Sequence, residues 1–204
     1  MSLKDAKVNF LVDMATDLFM TRSISEVTIK DIAVSAQVGE ATIYRYFGSK
    51  QNIVVQSAMK IQGIVSTDFF NLKKGNNGYE KLKVFYNSYY EIFIKHPNFY
   101  KFLNEFDAYV SIEDSNITNP YENAIDAYKK FFMEAYELGL KDGSVKKQDN
   151  IEMFYFSTTH ALLELAKKLV FKKAVLNQDT RIEKTSELQC LIDVILASLN
   201  NLWV

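Results

Sequence analysis

The stretch from Glu40 to Lys50, EATIYRYFGSK, sets a threonine, two tyrosines, an arginine and a lysine close together. Their chemistry is hydrogen-bond donation and positive charge, not covalent catalysis. If Ile43 and Phe47, four apart, face a core, then Thr42, Arg45 and Tyr46 point away from it and Tyr44 sits to one side. A buried helical corner does not need so many donors on its outer face. Two uses stay open at this level: a corner packed on its own chain, or a surface that touches something outside it.

Catalytic and metal chemistry has little to work with. Cys190 is the single cysteine and His96 and His160 are the only histidines, so one chain assembles neither a disulfide nor a structural zinc site. The sequence has no Gly-x-Ser-x-Gly, no phosphate-cradling glycine loop and no set of nucleophile, base and acid. The expectation is a non-enzyme with no cofactor and no metal. With 204 residues, 48% hydrophobic and 24% charged, the chain is long enough to bury a real core. A formal net charge of -1 gives no global pull toward nucleic acid. Residues 1–50 carry six basic and six acidic side chains, so any DNA contact relies on placement rather than bulk charge. The stretch MSLKDAKVNF lacks the charged-then-apolar run of a signal peptide, and no apolar stretch approaches a membrane span. A cytoplasmic protein without membrane contact is expected.

Two prolines and seven glycines leave few breaks, and apolar residues recur three and four apart, which predicts an all-α chain of about nine helices. Leu11, Met14, Ala15, Leu18 and Phe19 place a first amphipathic helix at about 4–20. Thr28 stands as an N-cap before Ile29, Ile32, Ala33 and Ala36, with Asp31 placed to reach back as a capping-box acid. Gln37-Val38-Gly39 forms a turn, and a third helix runs from Glu40 to Phe47. Further helices are expected at about 49–72, 79–95, 98–109, 120–141, 149–173 and 180–202, with residues 111–119 irregular and Pro120 in the first turn of its helix.

Two short helices joined by a three-residue turn describe a helix-turn-helix, whose second helix lies in the major groove of DNA. Spacing alone leaves the packed corner open. The residues go further: from Thr28 to Lys50 the sequence resembles the DNA-binding segment of the tetracycline-repressor (TetR) family. It matches that pattern at Thr28, Ile32, Ala33, Ala36, Val38, Thr42, Tyr44, Tyr46, Phe47, Ser49 and Lys50. The resemblance implies a three-helix DNA-binding domain at residues 1–50 and a helical ligand-binding and dimerisation domain at 51–204. It implies that Thr42, Tyr44, Tyr46 and Lys50 hold DNA phosphates, Lys50 together with the N-terminus of helix four. Glu40, Ala41 and Arg45 are then the base readers, and Thr28 and Lys30 flanking backbone contacts. Three residues depart from the pattern. Gln37 replaces a glycine in the turn, so a non-glycine must take or avoid a left-handed conformation. Gly39 replaces a serine N-cap, at a cost of about a few tenths of a kcal/mol. Glu40 puts an acid where a basic or amide side chain is common; it suits the helix dipole, repels phosphate, and could accept from a cytosine amino group.

Ile151, Phe154, Tyr155, Thr158, Leu162, Leu165 and Leu169 form one apolar stripe and Leu188, Leu191, Ile192, Ile195, Leu199 and Leu202 another. By resemblance these last two helices form a four-helix interface in a homodimer; by periodicity alone they are equally an intrachain core. The middle helices are rich in aromatic residues, and tyrosines that pair an apolar ring with a hydroxyl suit a flat or amphipathic small molecule. The pocket candidates are Tyr89, Phe93, Phe102, Phe106, Tyr128, Phe132, Phe156 and His160, against the plainer reading of core filling. The whole reads as a homodimeric, ligand-responsive repressor of transcription on a palindromic double-stranded DNA operator, released by a small-molecule effector. The rival is a DNA-bound interaction protein without such an effector.

Overall fold

A computed structural model of the chain describes residues 2–69, 75–110, 115–171 and 182–201, with the side chains of 66–69 and 115–125 outside the description. Among the described residues there are nine helices: α1 Leu3–Thr21, α2 Ile29–Ser35, α3 Glu40–Phe47, α4 Lys50–Phe69, α5 Gly78–Lys95, α6 Pro97–Tyr109, α7 Ser115–Asp142, α8 Ile151–Val170 and α9 Lys184–Leu199. The fold is all-α. It separates into two compact units, Met1–Ile64 with Lys101–Ala124, and Val65–Tyr100 with Ile125–Val204. The first unit therefore extends beyond α3 into α4 and takes in the later part of α6.

In the first unit, Ser2 and Asp5 close a reciprocal capping box at the start of α1. Leu11, Ala15 and Phe19 then turn one side of α1 inward, where Ile24, Val27, Ile32, Ile43, Phe47, Ile53 and Val54 are also buried. α2 packs against both α1 and α3.

In the second unit, α5 packs on α8 and α9, and α8 on α9. Phe85 is central to its core, with ring centroids 5.2 Å from Tyr86, 5.4 Å from Phe132 and 6.2 Å from Tyr155. The N-terminus of α5 is tied to the end of α7: the Gly78 N–H donates to Asp142 Oδ2 at 2.8 Å and the Tyr79 N–H to Ser144 Oγ at 3.0 Å. That approach needs glycine on both sides. A Cβ at Gly78 would lie 2.0 Å from the Gly139 nitrogen, and one at Gly139 would lie 2.2 Å from Val145 Cγ2.

Several element ends differ from the sequence expectation. α7 begins at Ser115, so Pro120 is its sixth residue rather than part of its first turn. A proline there removes its own N–H bond while the rest of the ladder continues. α8 starts at Ile151, because Asn150 serves as its N-cap and accepts from the Met153 N–H at 2.9 Å. α9 ends at Leu199 because the next residue turns extended and pairs with Val145 in an isolated antiparallel bridge. The expected ends at Leu72 and Lys173 and the expected start at Thr180 lie outside the described residues.

Of the two C-terminal stripes, Tyr155, Leu162, Leu169, Leu188, Ile192, Ile195 and Leu199 are buried within one copy, Ile151, Phe154, Thr158, Leu165 and Leu191 are half-buried, and Leu202 lies outside the described residues. The outer sides of the same helices leave Met153 62% and Val194 62% exposed. No described helix is long and apolar enough to cross a membrane.

Gly78→Ala is expected to destabilise the protein by about 1–3 kcal/mol, since backbone rather than a flexible side chain stands in the way. Urea unfolding measures this, and an unchanged midpoint would contradict the close approach of α5 and α7.

Candidate nucleic-acid interface

The helix-turn-helix is built by local backbone chemistry. Thr28 Oγ1 accepts from the Asp31 N–H at 3.1 Å, while the Asp31 carboxylate accepts from both the Thr28 N–H and its hydroxyl at 2.7 Å. These bonds to Thr28, side chain first, hold the Asp31 carboxyl down at about 2, with Arg22 assisting from 3.5 Å. At its other end α2 closes with paired bonds, Gln37 N–H to the Val34 carbonyl at 3.1 Å and Val38 N–H to the Ala33 carbonyl at 2.9 Å. This is the Schellman pattern, which requires a left-handed conformation at the first of its two donors. Gln37 supplies it at φ 52, so the non-glycine takes the strained conformation. Gly39 caps α3 in extended backbone without a side-chain bond, and Gly48 ends it at φ 72.

Ile43 and Phe47 are buried and set the rotation of α3. Glu40, Ala41, Tyr44 and Arg45 are exposed, Tyr44 by 52%, and Thr42 and Tyr46 are half-buried. The Arg45 guanidinium lies 5.2 Å from the Tyr46 ring centroid, a distance at which ring and cation attract. Thr28 and Lys30, at the start of α2, are exposed as well. Lys50 differs from these. It is half-buried, its ammonium donates to the Ile24 carbonyl, and it lies 5.3 Å from the Tyr109 ring centroid. Burial lowers its pKa, opposed by the nearby charge of Asp31.

Residues 11–56 match the family described as bacterial regulatory proteins, tetR family. The N-terminal segment belongs to the tetR family. No curated protein matches the chain in sequence. Solved structures of similar fold include the fatty acid degradation regulator FadR from Bacillus halodurans, at 16% identity, 93% of this chain, 94% of that chain and a TM-score of 0.68. FadR from Bacillus subtilis, in complex with stearoyl-CoA, aligns at 14% identity over 94% of this chain and 98% of that one, with a TM-score of 0.71. The ketosteroid regulator KstR2 of Mycobacterium tuberculosis aligns at 14% identity over 98% and 95%, with a TM-score of 0.63. At these identities the likeness is one of fold, and the fold is TetR-like.

Outside the tetR-family segment, the pocket candidates fall into three groups. Phe102 and Phe106 belong to the first unit, where their rings stack at 5.9 Å and Phe19 lies 6.5 Å from Phe102. Tyr89, Phe93, Tyr128 and Phe132 belong to the second unit and are buried or half-buried. Burial raises the Tyr89 phenol well above its ordinary pKa, and the phenols of Tyr155, Tyr100, Tyr86 and Tyr128 add to it. Phe156 and His160 lie on the exposed outer face of α8, rings 5.8 Å apart. They follow the inward Tyr155 and Thr159 by one residue, a rotation of about 100° that carries them out of the core. Glu105 and Tyr109, which engage Ile24 and Lys50 of the tetR-family segment, carry no local sequence signal; they meet it only through the fold.

Two measurements bear on this segment. Gln37→Gly is expected to raise stability by roughly 0.5–1 kcal/mol, the relieved left-handed strain less the added chain entropy; a lower melting temperature would contradict it. The folded Asp31 carboxyl sits below its unfolded value near about 3.9. Its contribution is therefore complete above that value and lost as pH falls toward the folded value of about 2. Thr28→Ala is expected to return the Asp31 titration, read by carboxyl NMR, toward the ordinary value; an unmoved midpoint would refute the capping box.

Proposed function

We propose that the protein is a homodimeric repressor of transcription, cytoplasmic, that binds a palindromic DNA operator and leaves it when a small amphipathic or aromatic molecule binds the helical body. The observation that carries this is the outer face of α3, where Tyr44, Arg45, Glu40 and Ala41 stand exposed over the buried Ile43 and Phe47. Tyr44, Thr42 and Tyr46 supply hydroxyl donors to phosphate, and Arg45 reads guanine in the major groove. Two copies related by a twofold axis set two recognition helices about 34–36 Å apart, one helical turn of DNA. The exposed apolar side chains Met153, Phe156 and Val194 on α8 and α9 fit coverage by a second copy.

Support for an amphipathic effector comes from the aromatic, hydroxyl-bearing interior around Tyr89 and Phe132 and from the stearoyl-CoA held by the Bacillus subtilis FadR. The effector acts by binding the DNA-released state more tightly than the DNA-bound one, and that difference is the whole of the coupling free energy.

Tyr44→Ala and Arg45→Ala are each expected to weaken operator binding by about tenfold or more, each removing a contact of about 1–3 kcal/mol; unchanged gel-shift affinity in both would sink the DNA assignment. Long-chain acyl-CoA and aromatic compounds, screened by thermal shift, separate the sensor from the rival reading. An effector at a hundred times its Kd adds about 2.7 kcal/mol of stability, and a flat response across both classes favours an effector-free interaction protein.

A further inference from the structure

Ile24 lies in the segment between α1 and α2 and is 1% exposed. Both of its backbone polar groups are met by side chains from distant helices. Its N–H donates to Glu105 Oε2 on α6 at 2.5 Å, across 81 residues of sequence, and its carbonyl accepts from the Lys50 ammonium at the first residue of α4. A buried peptide group left unpaired is destabilising, so these two side chains are part of what lets the segment be buried. Tyr109, one turn beyond Glu105 on α6, places its ring 5.3 Å from the same ammonium. Phe102, one turn before Glu105, meets Phe19 of α1 at 6.5 Å. One face of α6 thus holds α1, the α1–α2 segment and the start of α4. Thr28, the N-cap of α2, lies four residues past Ile24, so the placement of this segment sets where α2 and then α3 begin.

We infer that Lys50 and Glu105 form a buckle around Ile24, and that Lys50 serves DNA binding by positioning α2 and α3 rather than by neutralising a phosphate. This rests on the DNA-binding reading above. The geometry separates Lys50 from Lys30 and Arg45, whose side chains are exposed.

The salt dependence of operator affinity distinguishes the two roles. Each neutralised phosphate contributes about 0.9 to the slope of log K against log salt. Lys50→Met is expected to lower affinity on the order of tenfold, as loss of one charge-assisted hydrogen bond does, with the wild-type slope retained. Glu105→Leu is expected to do the same, and Glu105→Gln, which keeps an acceptor for the Ile24 N–H, to recover most of the affinity. A slope smaller by about one unit in Lys50→Met would mark Lys50 as a phosphate contact and overturn the inference. A urea double-mutant cycle of Lys50→Met with Glu105→Leu, which removes the acceptor, tests the buckle on the DNA-free protein separately from any DNA binding. Non-additive stabilities support it and strict additivity overturns it, whereas absence of wild-type operator binding would defeat the DNA reading alone.

Discussion

An eight-residue helix cannot hold itself in water, because the first turn fixes several residues for one hydrogen bond. α3 exists because Ile43 and Phe47, one turn apart, are buried against α2 and its surroundings. Burial of each such side chain contributes about 1.5–3 kcal/mol, more than the helix propensity of the whole segment. The same two side chains fix the rotation of the helix. Tyr44 and Arg45 face outward as a consequence, and every functional statement about this surface depends on that rotation.

Position matters more here because charge does not help. With a formal net charge of -1, the protein has no broad electrostatic attraction to a polyanion, so affinity has to come from a few donors held in place. The frame that holds them is polar: two local devices, a capping box at Thr28 and Asp31 and a left-handed Gln37 closing α2, and two side chains brought from α4 and α6 to the Ile24 peptide. Gln37 shows that the frame outweighs one strained residue. The turn geometry is imposed by bonds from residues 37 and 38 back to 34 and 33, and the backbone of Gln37 must follow.

Features governed by neighbours in sequence could be read from the sequence. The Thr28 and Asp31 box, the bounds of α3 and the inward Ile43 and Phe47 are all local, and the tetR-family match at residues 11–56 covers the same ground. Features governed by distant partners could not. Nothing near Lys50 in sequence announces that its ammonium meets Ile24 and Tyr109. Periodicity gave the apolar stripes of α8 and α9 but not what covers them; seven of their residues are buried from within the chain, five are only half-buried, and the outer faces hold Met153 and Val194. The rings of Phe156 and His160 belong to that outer face for the same reason, since a shift of one residue on a helix changes the face.

The second unit supplies an aromatic interior around Phe85 and Phe132, and the first supplies the framed α3. The central claim is that two copies of that helix read two DNA half-sites. Hydroxyl-radical footprinting on genomic fragments selected by the purified protein tests it most directly. The account predicts two symmetric protected segments one helical turn apart on a palindromic sequence. Fragments without a shared site, or protection confined to one half-site at saturating protein, would contradict it.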